Sequence, residues 1–151
     1  MKISELLNPQ AIVADLQARE KDLALAELTD ALIAGEPSLN RDEVIEVLQE
    51  REKLGSTGIG DGVAIPHGKL AGIPELMLAF GKSSAGVDFE SMDGQPAHLF
   101  FLLVAPEESV GVHLKTLARI SKLLKDPAVR QKLMDAEDPQ AIYQVILDEE
   151  A

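Results

Sequence analysis

The run Leu99-Phe100-Phe101-Leu102-Leu103-Val104-Ala105 is the feature that most restricts this chain. Seven consecutive apolar residues are too few for a membrane-spanning helix, which needs about 20. They match the length of one strand. Side chains alternate sides along a strand, so one that is apolar at every position has no wet face. The stretch from His98 to Val104 is therefore expected to be the central strand of a sheet covered on both faces.

Helical periodicity supplies the cover. Ala24, Leu25, Leu28, Leu32 and Ile33 fall on one face of a helix over 20–34, with Gly35 suited to its C-terminal cap. Asn40 and Glu43 form a capping-box pattern ahead of Val44, Val47 and Leu48. Toward the C-terminus, Leu114, Leu117, Ser121 and Leu124 share a face, with Ile120 beside them. Asp126-Pro127 and Asp138-Pro139 each place an N-capping residue before a proline at the first helical position. Ile142, Val145 and Ile146 give the last helix its apolar stripe. Between these helices lie short strands at Val63-Ala64-Ile65, ended by Pro66, at Met77 to Phe80, and at Val87-Asp88-Phe89. Helices, then strands, then helices predict an α/β or α+β domain with helices packed on a small sheet. No repeat or linker divides the chain, so residues 1–151 are expected to form a single domain.

Composition narrows the function. Aromatic residues make up 3%, so the core rests on aliphatic side chains and no stacking platform for single-stranded nucleic acid is expected. With 14 basic and 26 acidic side chains the net charge is −12, which repels nucleic acid and anionic membrane. Any phosphate site must overcome that field with local cations or hydrogen-bond donors. There is no cysteine, which excludes disulfides, thiolate nucleophiles and cysteine-based zinc sites. No apolar segment follows Met1-Lys2-Ile3-Ser4-Glu5, so no secretory signal is expected and the protein reads as cytoplasmic, without membrane insertion.

The candidates for chemistry are then the three histidines, Arg51, and the Ser56/Thr57 pair. His67 follows a strand and a proline and precedes Gly68, the kind of junction at which a rigid scaffold displays a reactive group. Neutral imidazole is a good nucleophile near neutral pH. His98 lies in the apolar strand pattern and reads as a core or strand-edge residue. His113 opens an amphipathic helix, where the dipole disfavours an imidazolium but favours an anion. The loop Gly55-Ser56-Thr57-Gly58-Ile59-Gly60-Asp61-Gly62 offers backbone N–H groups and two hydroxyls to an anion. It is not a Walker loop, because Asp61-Gly62 stand where Lys and Ser/Thr belong. The dinucleotide fingerprint is missing too, because Val63 replaces its last glycine. The histidines lack metal-ligand spacing, so no metal is expected. No Gly-x-Ser-x-Gly elbow occurs.

The stretch Arg51-Glu52-Lys53-Leu54-Gly55-Ser56-Thr57-Gly58-Ile59-Gly60-Asp61-Gly62-Val63-Ala64-Ile65-Pro66-His67-Gly68-Lys69 closely resembles the active-site signature of the fructose/mannitol-type enzyme IIA domains. These belong to the bacterial phosphoenolpyruvate-dependent sugar phosphotransferase system. His113-Leu114-x-x-Leu117 matches the family's second active-site histidine, and the resemblance covers essentially the full chain. It implies a small mixed sheet flanked by helices. It also implies that His67 accepts a phosphoryl group, that His113 positions it and that Arg51 neutralises it, with Ser56 and Thr57 near the phosphate. The donor would be a small histidine phosphocarrier protein, with no metal, nucleotide or other cofactor. The loop is most similar to that of the nitrogen-regulatory branch, whose members bind regulatory target proteins according to phosphorylation state. The alternative is a freestanding fructose-type domain relaying phosphate to an enzyme IIB. A binding domain that kept the fold without phosphorylation is a third reading. No transporter domain is fused within these residues, which favours the regulatory branch.

Overall fold

A computed structural model describes residues 2–151, with Val110 by its backbone alone. Met1, the first residue of the expected domain, lies outside the described residues. The elements in chain order are α1 (Ile3–Leu6), β1 (Leu7–Val13), α2 (Lys21–Gly35), α3 (Arg41–Glu52), β2 (Gly58–Gly60), β3 (Val63–Ala64), β4 (His67–Leu70), β5 (Met77–Val87), β6 (Ala97–Pro106), α4 (Val110–Lys125), α5 (Pro127–Asp135) and α6 (Pro139–Glu149). The described strands make one mixed sheet in the order β1-β5-β6-β3-β2, with β4 also on β6.

β6 is the central strand that the apolar run requires: Leu99 is 2% exposed and Phe100 through Ala105 are all at 0%. β5 runs antiparallel to it along one edge. Along the other edge β3 pairs parallel with Leu99 and Phe100, and β4 pairs parallel with Leu103 through Pro106. Ile65 and Pro66 are the gap between these two short strands. Pro66 has no N–H for a ladder, yet its carbonyl accepts from Leu103 N at 2.9 Å.

The two covers sit on opposite faces of the sheet. A Cβ added to Gly81 would lie 2.7 Å from Leu28 of α2, whereas the next residue, Lys82, sends its amine to the carbonyls of Met134 and Ala136 at the end of α5. Neighbouring strand residues face opposite ways, so α2 lies on one face and α5 on the other. The chain's four phenylalanines are all fully buried and form two edge-to-face pairs, Phe80–Phe101 at 4.9 Å and Phe89–Phe100 at 5.4 Å. Because Phe100 and Phe101 are consecutive, each face receives one pair. Such contacts contribute about 0.5–1.5 kcal/mol each beyond area burial.

Several elements differ from expectation for identifiable reasons. The strand expected at 77–80 continues to Val87 as β5, with an irregularity between Lys82 and Val87, while of the strand expected at 87–89 only Val87 belongs to it and Asp88 makes an isolated bridge with Glu20. Its polar residues hide the pattern, but they are partnered: Lys82 as described, and Ser83 by accepting from Gly86 N at 2.9 Å. Gly35 is the last residue of α2 rather than its left-handed cap. It is small because Asn8 packs against it, 3.1 Å from where a Cβ would stand. Of the capping box at α3, the half from Asn40 to Glu43 N forms, at 3.1 Å. On α4 the buried face carries His113, Thr116, Ile120 and Leu124, while Leu114 is 60% exposed and Ser121 is exposed. The helix is turned about one position from the expected stripe, and His113 points inward. Strands β1, β2 and β4 and the short helix α1 were not apparent in the sequence pattern, so His67 stands on a strand rather than in the loop after one.

Candidate active site

Two helices and one strand edge build the site. Gly68 of β4 faces α3, since a Cβ there would sit 3.1 Å from Val47 Cγ2. His67, one residue earlier, therefore faces the other side, where α4 presents His113. The imidazole rings stand edge to face, centroids 5.4 Å apart and planes at 72°. Arg51, in the last turn of α3, reaches the same cleft, a cavity of about 570 Å³ lined by Val47, Arg51, Leu54, His67, Lys69 and His113. Another cavity of about 400 Å³ beside Tyr143 holds no histidine or arginine.

A backbone carbonyl defines the tautomer of His67. His67 Nδ1 lies 2.8 Å from the carbonyl oxygen of Ile65. A carbonyl only accepts, so Nδ1 carries the proton and Nε2 keeps its lone pair. His113 is 7% exposed, and no hydrogen-bond partner reaches its buried Nδ1 among the described residues. A proton on that nitrogen would be a buried donor without an acceptor, which favours the Nε2–H form.

Both rings titrate below the ordinary 6.5. For His67 burial is the main cause; the hydrogen bond to Ile65 opposes it, Arg51 adds to it, and Glu52 opposes it. For His113 burial again leads, followed by the charges of His67 and Lys69. At neutral pH the site therefore holds two neutral imidazoles, that of His67 with its Nε2 lone pair free. Arg51 and Lys69 provide positive charge, while Glu46 and Glu50 stand on the rim. Arg51 Nη1 also donates to Gly55 O at 3.0 Å, which fixes the guanidinium against the glycine loop.

His67, His113 and Arg51, far apart in sequence, are thus brought together. Ser56 and Thr57 point elsewhere. Ser56 Oγ donates to Phe89 O at 2.9 Å and accepts from Gly58 N at 3.0 Å. Thr57, 3% exposed, gives its hydroxyl to Glu52. His98 lies at the start of β6, half-buried, with Nδ1 donating to Ser83 O at 2.7 Å. Lys69 lies two residues from His67 on β4 and so on the same face, which the expectation that Pro66 ends the strand had hidden. Among the described residues no cluster of three or more His, Asp or Glu side chains is disposed to hold a metal ion, and no helix is long and apolar enough to cross a membrane.

Sequence comparison decides the family. The sequence model described as "Phosphoenolpyruvate-dependent sugar phosphotransferase system, EIIA 2" matches residues 5–149. The chain belongs to this family. Among EIIA 2 relatives, a nitrogen regulatory protein of Bradyrhizobium diazoefficiens is 48% identical over 146 residues, 97% of this chain and 95% of its own length. The fructose-specific EIIABC component of Bacillus subtilis is 41% identical over 146 residues, 97% of this chain but 23% of that protein. The crystal structure of nitrogen regulatory protein IIA-Ntr from Neisseria meningitidis matches with a TM-score of 0.88 at 36% identity, over 95% of this chain and 98% of that one. The family expected from residues 51–69 is the family found, and the mixed sheet flanked by helices is its fold. As an EIIA 2 protein the chain is a phosphocarrier of the phosphotransferase system.

Proposed function

We propose that His67 Nε2 accepts the phosphoryl group from a phosphohistidine of a small donor protein in the cytoplasm. The observation that carries this is the Nδ1–H bond to Ile65 O, which leaves Nε2 as the free lone pair in a cleft with Arg51 and His113. In the transfer, Nε2 bonds to phosphorus as the donor's N–P bond breaks, and the donor ring leaves with that electron pair. The His67 ring gains positive character, and the Ile65 carbonyl stabilises the Nδ1 proton that stays on it. Arg51 offsets the charge on the phosphoryl oxygens, and His113 donates to one of them through Nε2–H. Ser56 and Thr57 serve the loop's shape, since their hydroxyls are engaged within the protein. No cofactor enters this chemistry.

The output we favour is regulatory, with partner binding set by phosphorylation state. The likeness to a nitrogen regulatory protein over nearly that relative's whole length favours it. A second reading, relay to an enzyme IIB, is favoured by the 41% identity to a fructose-specific component. Intact-mass spectrometry after incubation with phosphoenolpyruvate and the two upstream proteins tests the carrier role. One added phosphoryl group, lost in acid and absent from His67→Ala, is expected. Full phosphorylation of His67→Ala would overturn the assignment. Offering a fructose-type enzyme IIB to the phosphorylated protein then separates relay from regulation.

A further inference from the structure

We propose that Glu52, buried beneath the glycine loop, is a positioning residue for phosphoryl transfer, anchoring through Thr57 the hydrogen-bond path that holds His67. The inference rests on His67 being the acceptor.

The carboxylate is an unusual thing to find here. Its side chain is 5% exposed, and an isolated buried carboxylate is costly. It is held by partners from two directions. Lys21 Nζ lies 3.0 Å from Oε1, is shared with Glu90 at 3.4 Å, and sits 5.0 Å above the Phe89 ring. From the other side Thr57 N donates to Oε1 at 3.1 Å and the Thr57 hydroxyl donates to Oε2. One residue thereby spends both of its local donors on a single carboxylate, which fixes its backbone in position and orientation.

From Thr57 the path continues to the reacting ring. Thr57 O accepts from Ile65 N at 3.0 Å, and Ile65 O accepts from His67 Nδ1 at 2.8 Å. Pro66 restricts Ile65 to extended backbone, so fixing its N–H also fixes the direction of its carbonyl. Two different peptide units meet at Ile65, so the path transmits position rather than charge. A second branch serves the guanidinium. Glu52 O accepts from Gly55 N at 3.1 Å, and Gly55 O accepts from Arg51 Nη1 at 3.0 Å. The His67 path is therefore referenced to the Glu52 carboxylate and the Arg51 path to its backbone carbonyl, and Glu52 does not line the cleft. Transfer needs near-attack geometry, and small misplacements of a positioned group are costly to rate.

The test compares Thr57→Val, which keeps the shape but deletes the hydroxyl, with Thr57→Ser, which restores it. Two quantities are read. One is the tautomer of His67, from its imidazole 15N shifts in the unphosphorylated protein. The other is the division between kcat and KM when the phosphorylated histidine phosphocarrier is the donor. For Thr57→Val we expect a His67 ring that loses its single Nδ1–H form, a fall in kcat of about tenfold or more, and an unchanged KM. Thr57→Ser restores both. A Thr57→Val protein with the native 15N shifts and native kcat, merely less stable, overturns the proposal. Should Thr57→Val fail to fold, Glu52→Gln is read in the same two ways, with the same outcomes deciding. If the wild-type protein takes no phosphoryl group on His67, the functional reading fails, while the 15N shifts still decide whether Glu52 sets the ring.

Discussion

Burial pushes His67 and His113 below the ordinary 6.5, and the sign of the consequence follows from linkage. As pH falls through about 6.5 the unfolded chain protonates both rings while the folded chain still holds them neutral. The unfolded state then binds more protons, so stability is full above that pH and declines as pH drops toward the folded values. Chemical denaturation at pH 7.5 and 5.5 is expected to show lower stability at 5.5. Replacing His113 with Gln should shrink the difference. A proton NMR titration should place both midpoints below 6.5, and the acid limb of phosphoryl acceptance should follow that of His67. None of this is visible in residue identities. The chain shows a histidine after a proline; burial and the Ile65 carbonyl come from the fold.

Elements bring these residues together, and glycine sets how closely. A methyl group on Gly68 would stand 3.1 Å from Val47 Cγ2 and 3.4 Å from its backbone carbon, so α3 would have to give way. Gly68→Ala is expected to cost about 1–3 kcal/mol by overpacking and to slow phosphoryl acceptance by moving Arg51 away from His67; thermal unfolding and single-turnover rates check both. Asp138→Ala, which removes the acceptor for Ala141 N at the start of α6, should cost about 1 kcal/mol and leave the transfer rate alone. Caps of this kind were legible, at Asn40, Asp126 and Asp138, because their signal is local. So was β6, because an unbroken apolar run has few alternatives. Of β5 only Met77 to Phe80 was, because the partners that make Lys82 and Ser83 tolerable inside come from distant or irregular backbone. The inward face of α4 was misread because apolar Leu114 lies outside and polar His113 inside. That inversion coincides with the candidate site: His113 has taken a position that packing alone would give to leucine.

Across the whole molecule, the first and last helices are stitched by one carboxylate. Glu150, its side chain 5% exposed, accepts from Ile3 N at 2.7 Å and Ser4 N at 2.8 Å and lies 3.3 Å from Arg119. Glu150→Ala would leave two amides without their acceptor and should lower stability by about 1–3 kcal/mol. Urea titration measures this, and phosphorylation of the folded protein should be unchanged, because Glu150 meets α4 at Arg119, six residues past His113, and does not line the His67 cleft.

The edge of β6 that carries β3 and β4 has a consequence for the order in which a chain leaving the ribosome acquires its chemistry. His67 is made well before Leu103, the residue its strand pairs with, and His113 emerges later still. Until β6 and the first turn of α4 are outside the exit tunnel, His67 has no sheet to sit on and no second ring beside it. Partly synthesised chains therefore carry a histidine outside its cleft, and on the proposed function the acceptor is complete only on chains whose translation has passed the first turn of α4.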